Sequence, residues 1–171
     1  MLRALDLRIL RTLRTHGHGP SAERAVLTFT RTGEHGLLWI ALCAAGALLD
    51  SSRRTAYLRA MRAVVLAYLA NIALKYVVRR PRPAIEGLPA LSSTVTSLSF
   101  PSAHSATSFA AAQALSSGGV PGRPVYALAA AMAVSRVYAG VHYPSDVVAG
   151  VALGTAVAEL LDRPAIEGLA A

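Results

Sequence analysis

Residues 57–78 read YLRAMRAVVLAYLANIALKYVV, a 22-residue run whose charges are confined to Arg59 and Arg62 near its start and Lys75 near its end. A helix crossing the hydrocarbon core needs about 20 apolar residues, within a range of roughly 17–25. This run is long enough. An ionisable side chain near the end of such a segment is expensive unless it serves a site, so Lys75 is a candidate functional residue.

Working outward, further apolar stretches occupy residues 36–49, 101–118, 124–140 and 143–161. The first is uncharged but only 14 residues long, and it reaches a full span only by extending back towards Thr32, past Glu34 and His35. The stretches at 101 and 124 each open with proline, which is favoured in the first turn of a helix. Arg136 stands near the end of one stretch and Asp146 near the start of the next. Hydropathy alone also fits a soluble alanine-rich bundle. The placement of Lys75, Arg136 and Asp146 tips the reading to an all-α, multi-pass transmembrane helical bundle of about five membrane helices.

Composition agrees. Hydrophobic residues make up 54% of the 171-residue chain and charged residues 15%, against roughly 25% charged in an ordinary soluble domain. The mean hydropathy is +0.45. Abundant alanine lets apolar helices approach closely through small side chains. The net charge of +8 comes without an aromatic-interleaved basic patch or a reading helix, which argues against nucleic acid. Anionic headgroups or a phosphorylated substrate account for it. Cys43 is the only cysteine, so there is neither a disulfide framework nor a zinc site.

Residues 1–14 lack the continuous apolar core of a secretory signal. Leu2, Leu5, Ile9 and Leu13 fall at near-helical spacing with Arg3, Arg8, Arg11 and Arg14 interleaved, the pattern of an amphipathic helix lying in the membrane interface. His16 and His18 sit in a glycine-flanked turn, too few ligands for a metal. The expected organisation is one domain over residues 1–171, with 1–32 forming interfacial N-terminal helices and 33–162 the transmembrane catalytic bundle.

If the second to fifth stretches alternate in direction, residues 75–83, 101–104, 135–136 and 142–146 all face one side. Nearly every unusual polar residue then gathers at one end of the bundle. Lys75, Arg82 and Arg136 would supply positive charge to a phosphoryl group, arginine as a planar fork and lysine as a compact charge. Arg79 and Arg80 lie between the first two and fit either that role or a headgroup-facing one. His142 and Asp146 are one helical turn apart. A carboxylate beside an imidazole fixes the tautomer and stabilises its charged form, so His142 is a candidate nucleophile. A helix-entry pair, with Asp146 capping after Pro144, fits the same residues. His104 follows Pro101-Ser102-Ala103 at a helix start, where backbone N–H groups bind anions and a histidine can pass a proton to a leaving oxygen.

Lys75-x6-Arg82-Pro83, then Pro101-Ser102-Ala103-His104, then Ser135-Arg136-x5-His142-x3-Asp146 together resemble, in order and spacing, the three-part signature of the type 2 phosphatidic acid phosphatase superfamily. The likeness extends from about Gly36 onward. It implies a membrane lipid phosphatase that acts through a phosphohistidine on His142, oriented by Asp146. It implies that His104 protonates the leaving alkoxide and then activates water. It assigns Lys75, Arg82, Arg136, Ser102 and the backbone at Ala103 to the phosphate, with no metal and no cofactor. The family pattern usually has glycine at the position of Ala103; the backbone N–H survives that change. Glu34 and His35 lie on the same side and are candidate headgroup contacts, although a helix cap explains them too.

Family members act on phosphatidate, phosphatidylglycerophosphate, polyprenyl diphosphates such as undecaprenyl diphosphate, and polyprenyl sugar phosphates, so the expected partners are a lipid phosphate and the bilayer. A catalytically dead lipid-binding protein is the rival of another class. The intact signature speaks against it. The segment RPAIEGL occurs at residues 82–88 and again at 163–169, with no physical account of the repeat. For sidedness, eleven cations share the signature's side (Lys75, Arg79, Arg80, Arg82, Arg136, Arg3, Arg8, Arg11, Arg14, Arg24, Arg31) against six opposite (Arg53, Arg54, Arg59, Arg62, Arg123, Arg163). Setting aside three phosphate ligands and the four arginines of residues 1–14 leaves four against six. The positive-inside rule then puts the site on the extracytoplasmic side of the cell membrane.

Overall fold

A computed structural model describes residues 2–162. The chain forms seven α-helices among these residues: α1 (Leu2–Thr15), α2 (Pro20–Thr32), α3 (Leu37–Leu49), α4 (Arg54–Val78), α5 (Ala103–Ser117), α6 (Gly122–Tyr138) and α7 (Pro144–Asp162). The described residues contain no strand, only an isolated antiparallel bridge between Pro81 and Leu98. The second RPAIEGL copy lies outside the described residues.

Local chemistry sets the helix ends. α4 stops where Arg79 turns left-handed (φ 53°) and returns its N–H to the Lys75 carbonyl, two residues before Pro81 blocks continuation. Ser102 caps α5, its hydroxyl accepting from the Ser105 N–H. Pro101 is expected in the first turn of that helix, but it lies two residues before its first helical residue, Ala103. Pro101 precedes the cap because the serine, not the proline, satisfies the orphan donors. Asp146 sits in the first turn of α7 and accepts the Tyr143 N–H at 2.8 Å, the returning half of a capping box. Capping and proximity to His142 are both present.

α5 lies at the centre, packed against α4, α6 and α7. Its alanines Ala106, Ala110, Ala111, Ala112 and Ala114 are fully buried, as are Trp39, Cys43, Ala60, Val64 and Ala67 around them. Close approach depends on α7: a Cβ on Gly150 would lie 2.5 Å from the Ser102 carbonyl oxygen, and one on Gly154 would lie 2.1 Å from that of Ala106. Those obstacles are backbone and cannot rotate away. Gly154→Ala should therefore push α5 and α7 apart and cost about 1–3 kcal/mol, read as a lowered Tm in detergent; an unchanged Tm would show that the helices separate freely.

By length and composition two helices can cross a membrane, residues 51–78 and α7, while α2 and α3 pass the same test only as a pair bent by 50°. The bend falls at a 3₁₀ turn, Glu34–Gly36, where His35 (φ 54°) and Gly36 (φ 76°) leave the helical region. α5 and α6 are shorter, and the buried α5 has no need of a lipid-facing length. About five membrane helices are expected; by length and composition two of the described helices pass, or three with the bent pair. Large apolar side chains remain outward on α3 and α4, among them Leu48, Leu49, Leu69 and Val77, an exposure that suits lipid.

α1 is helical as expected, but another stripe faces the protein. Asp6, Leu10 and Arg14 are buried, whereas Leu5 is 52% and Ile9 38% exposed. Leu10 packs with Val137 and Tyr143. Arg14 donates from Nη2 to the Pro89 carbonyl at 2.7 Å, so it is not a headgroup arginine. Its place on the i, i+4, i+8 row with Asp6 decides this.

Candidate active site

The alternation of α4 to α7 brings the end of α4, the start of α5, the end of α6 and the entry to α7 to one cavity of about 250 Å³. Lys75, Arg82, Ala103, His104, Arg136 and His142 all line it. Asp146 stands behind His142, fully buried. Ser102 does not line the cavity; its hydroxyl accepts from Ser105 Oγ at 3.0 Å and caps α5.

Lys75 donates from Nζ to the carbonyls of Leu98 (3.2 Å) and Pro101 (3.1 Å). Arg82 reaches from the 79–102 loop, donating from Nε to the Thr96 carbonyl (2.8 Å) and from Nη1 to the Val141 carbonyl (2.7 Å). Arg136 donates from Nη1 to Thr30 Oγ1 at 2.7 Å, and its buried Nε has no partner. Among the described residues none of the three cations is paired with a carboxylate. Buried charge normally finds an opposite charge. Three cations converging without one make an anion site.

His142 Nε2 lies 3.2 Å from Arg82 Nη1, a donor. The accepting lone pair on Nε2 places the ring proton on Nδ1, which is 3.7 Å from Asp146 Oδ2. That separation exceeds a hydrogen bond. Burial, reinforced by the Arg82 and Arg136 charges and only partly offset by Asp146, pushes the His142 imidazole down to about 3. The ring is neutral at neutral pH, as a nucleophile must be. Burial also lowers Arg82 to about 10, which leaves it cationic.

His104 contacts the Thr30 carbonyl through Nε2 at 3.1 Å. A proton on Nε2 for that bond leaves Nδ1 for transfer. Glu34 and His35 stand at the mouth, exposed, with His35 Nδ1 2.7 Å from the Tyr68 hydroxyl. Arg79 is exposed, while Arg80 turns away from the cavity to Asp146 and Asp6. His18 stacks on Tyr138 and bonds Glu23.

Sequence reasoning missed Thr30, Asn71 and Asp6. Thr30 is fully buried and touches both Arg136 and His104; nothing in its surroundings along the chain marks it. Asn71 carried a signal, a polar residue inside an apolar run one turn before Lys75, and its amide donates to the Pro101 carbonyl at 3.0 Å. Asp6 is the one acidic residue among the arginines of residues 1–14.

A helical bundle with apolar outer faces, closed at one end around a histidine–carboxylate pair and three unpaired cations, defines a class of membrane protein. The PAP2 superfamily pattern matches residues 56–161, and the chain belongs to that superfamily. Over 119 residues it is 44% identical to a decaprenylphosphoryl-5-phosphoribose phosphatase of Mycolicibacterium smegmatis, covering 69% of this chain and 65% of that one. The fold matches the crystal structure of Aquifex aeolicus LpxE with a TM-score of 0.78 at 26% identity, over 92% of this chain and 94% of the other. It also matches a transmembrane PAP2-type phosphatidylglycerolphosphate phosphatase from Bacillus subtilis with a TM-score of 0.75 at 23% identity, over 93% and 83%.

Proposed function

We propose that this protein is a lipid phosphatase working through a phosphohistidine. The observation that carries the reading is the convergence of three cations without carboxylate partners, Lys75 and Arg136 buried and Arg82 half-buried, on a cavity with a neutral imidazole at its wall. Lys75, Arg82 and Arg136, with the first N–H groups of α5, hold the phosphoryl oxygens and offset the charge that grows in the transition state. His142 Nε2 attacks phosphorus as the ester oxygen departs, and His104, carrying a proton on Nδ1 besides the one that Nε2 gives to Thr30, passes the Nδ1 proton to that oxygen. Asp146 stabilises the phosphorylated, cationic imidazole. His104 then takes a proton from water, which attacks phosphorus and returns His142 to its neutral form as phosphate leaves. Side chains supply the electrostatics, so no metal enters any step.

The substrate we favour is a polyprenylphosphoryl sugar phosphate, decaprenylphosphoryl-5-phosphoribose in the case of the named relative. Tyr68, Ile72 and Tyr76 of α4 and Val95 of the following loop line the cavity, and Tyr76 and Val95 are largely exposed. An apolar chain can lie against them while the terminal phosphate reaches His142. The test is a panel on purified protein in detergent with excess chelator: this substrate, phosphatidylglycerophosphate, undecaprenyl diphosphate and phosphatidate. The sugar phosphate should give the highest kcat/KM and vanadate should inhibit. Activity lost in chelator and restored by a divalent ion would point to metal-assisted hydrolysis instead.

We further take residues 1–32 to lie in the interface and 33–162 to cross the membrane as five helices of one domain, with the site extracytoplasmic. Exposed Arg53, Arg54 and Arg62 near the start of α4 support the orientation. Arg80, held by Asp6 and Asp146, drops out of the opposing count. Single cysteines at Ser52 and Ser93 in a Cys43→Ser background should be distinguished by a membrane-impermeant thiol reagent on intact cells: position 93 should label and position 52 should not. The reverse pattern would put the site in the cytoplasm.

A further inference from the structure

Asp6 belongs to no motif and lies far from the cavity in sequence, yet it is 3% exposed and fully engaged. Its Oδ1 accepts the Ser145 N–H at 2.9 Å, and its Oδ2 accepts Ser145 Oγ at 2.6 Å and Arg80 Nη2 at 2.9 Å. Arg80 uses its other nitrogen, Nη1, to reach Asp146 Oδ1 at 2.8 Å, and its guanidinium carbon lies 4.0 Å from the Tyr143 ring centroid. Asp146 presents its remaining oxygen to the Tyr143 N–H at 2.8 Å and, at 3.7 Å, to His142 Nδ1. Asp6, Arg80, Asp146 and His142 thus form one row.

We propose that Asp6 is a positioning residue for the phosphatase reaction, acting through Arg80 to orient Asp146 and to keep its negative charge available to His142. This rests on the reading of His142 as nucleophile. One guanidinium is shared between two carboxylates. With Asp6 present, much of the Arg80 charge is already neutralised, and Asp146 can stabilise the imidazolium that forms on phosphorylation. Without Asp6 the whole charge of Arg80 falls on Asp146, where it opposes that stabilisation at close range in a low-dielectric setting.

The fixed geometry matters equally. Held at Oδ1 by Arg80 and at Oδ2 by the Tyr143 N–H, Asp146 can only approach His142 along the line that closes 3.7 Å to hydrogen-bond length, about 2.8 Å. Electrostatics agree with this layout. Burial would raise the Asp6 carboxyl, but Arg80 and Ser145 outweigh it and hold the group below the usual carboxylate range. Burial would lower Arg80, and the two carboxylates more than offset it. The row also ties α1 to the reacting end of the bundle. Amphipathic and arginine-rich, α1 places a side chain on the support of the catalytic carboxylate, beside Leu10 packed on Tyr143.

The experiment compares unmodified protein with Asp6→Asn, Arg80→Gln and the double variant on the preferred lipid substrate. Active sites are counted by phosphoenzyme titration, and Tm is recorded in the same detergent. Asp6→Asn keeps the shape and the acceptor for the Ser145 N–H but removes the charge. It should lower kcat per titrated site about tenfold with KM within about twofold, as supporting residues of catalytic groups typically do. The double variant, with both charges gone, should lose no more than Arg80→Gln alone. A purely structural role would lower Tm or the number of titrated sites and leave kcat per site unchanged, which would overturn the proposal. Losses that multiply in the double variant, or a rise in KM alone, would overturn it too. Failure of the phosphatase reading would show separately, as absent turnover in the unmodified protein.

Discussion

Replacing His142 with alanine should lower phosphate release by about 10⁴-fold or more, because it removes the atom that forms the covalent bond to phosphorus. No other side chain can substitute. The remaining cavity-lining groups near the phosphate position are cations, His104 held through Nε2 by the Thr30 carbonyl, and the backbone of α5. The variant should remain folded. His142 Nδ1 has no hydrogen-bond partner, and the 3.2 Å contact of Nε2 with Arg82 is replaceable by water. Asp146→Asn should give a smaller loss, since it keeps the shape and the cap on α7 but removes the charge opposing the imidazolium. The measurement is phosphate release per folded molecule alongside labelling by a radioactive phosphoryl donor. Near-normal release from His142→Ala would sink the covalent mechanism.

His104→Gln should lower kcat by about 10²–10⁴-fold on a lipid phosphomonoester, the range for losing a general acid–base group. An alkoxide is a poor leaving group, so proton transfer matters most in the first step. With an aryl phosphate, whose leaving group needs little protonation, the first step should survive in the variant. The second step would still lack the group that activates water, so phosphoenzyme should accumulate. The expected signature is a burst of phenolate equal to the number of sites, followed by a slow phase. Equal losses on both ester types with no phosphoenzyme would show that His104 acts by packing against α2 near Gly33 and Thr30 rather than by moving protons.

The motif residues were legible because their spacing is local and their surroundings contradict them: a lysine ending an apolar run, an arginine ending another, a histidine and an aspartate one turn apart. Alternating helices then bring such ends together without any detailed packing. The helix caps were less legible. Pro101 and Ser102 both suit a helix start, and only the backbone path shows that serine is the cap. The number of spans was less legible, since a central helix such as α5 is apolar from burial in protein and its hydropathy does not report a membrane-crossing length.

Read alone, the chain determined its helical class and which cations and histidines meet, which follow from hydropathy and short-range spacing, while its superfamily came from the resemblance of the three-part signature. Tertiary structure decided the register of α1, the burial of Arg14, the withdrawal of Ser102 and the part played by Thr30 and Asp6. Asp6 and Ser145 are 139 residues apart, and Thr30 and Arg136 are 106 apart. Contacts at that separation depend on which face of a helix its neighbours leave open. On α1 the row Asp6–Leu10–Arg14 meets the loops at Tyr143 and Pro89, with Leu7 and Leu13 packed beside it and Leu5 and Ile9 left exposed.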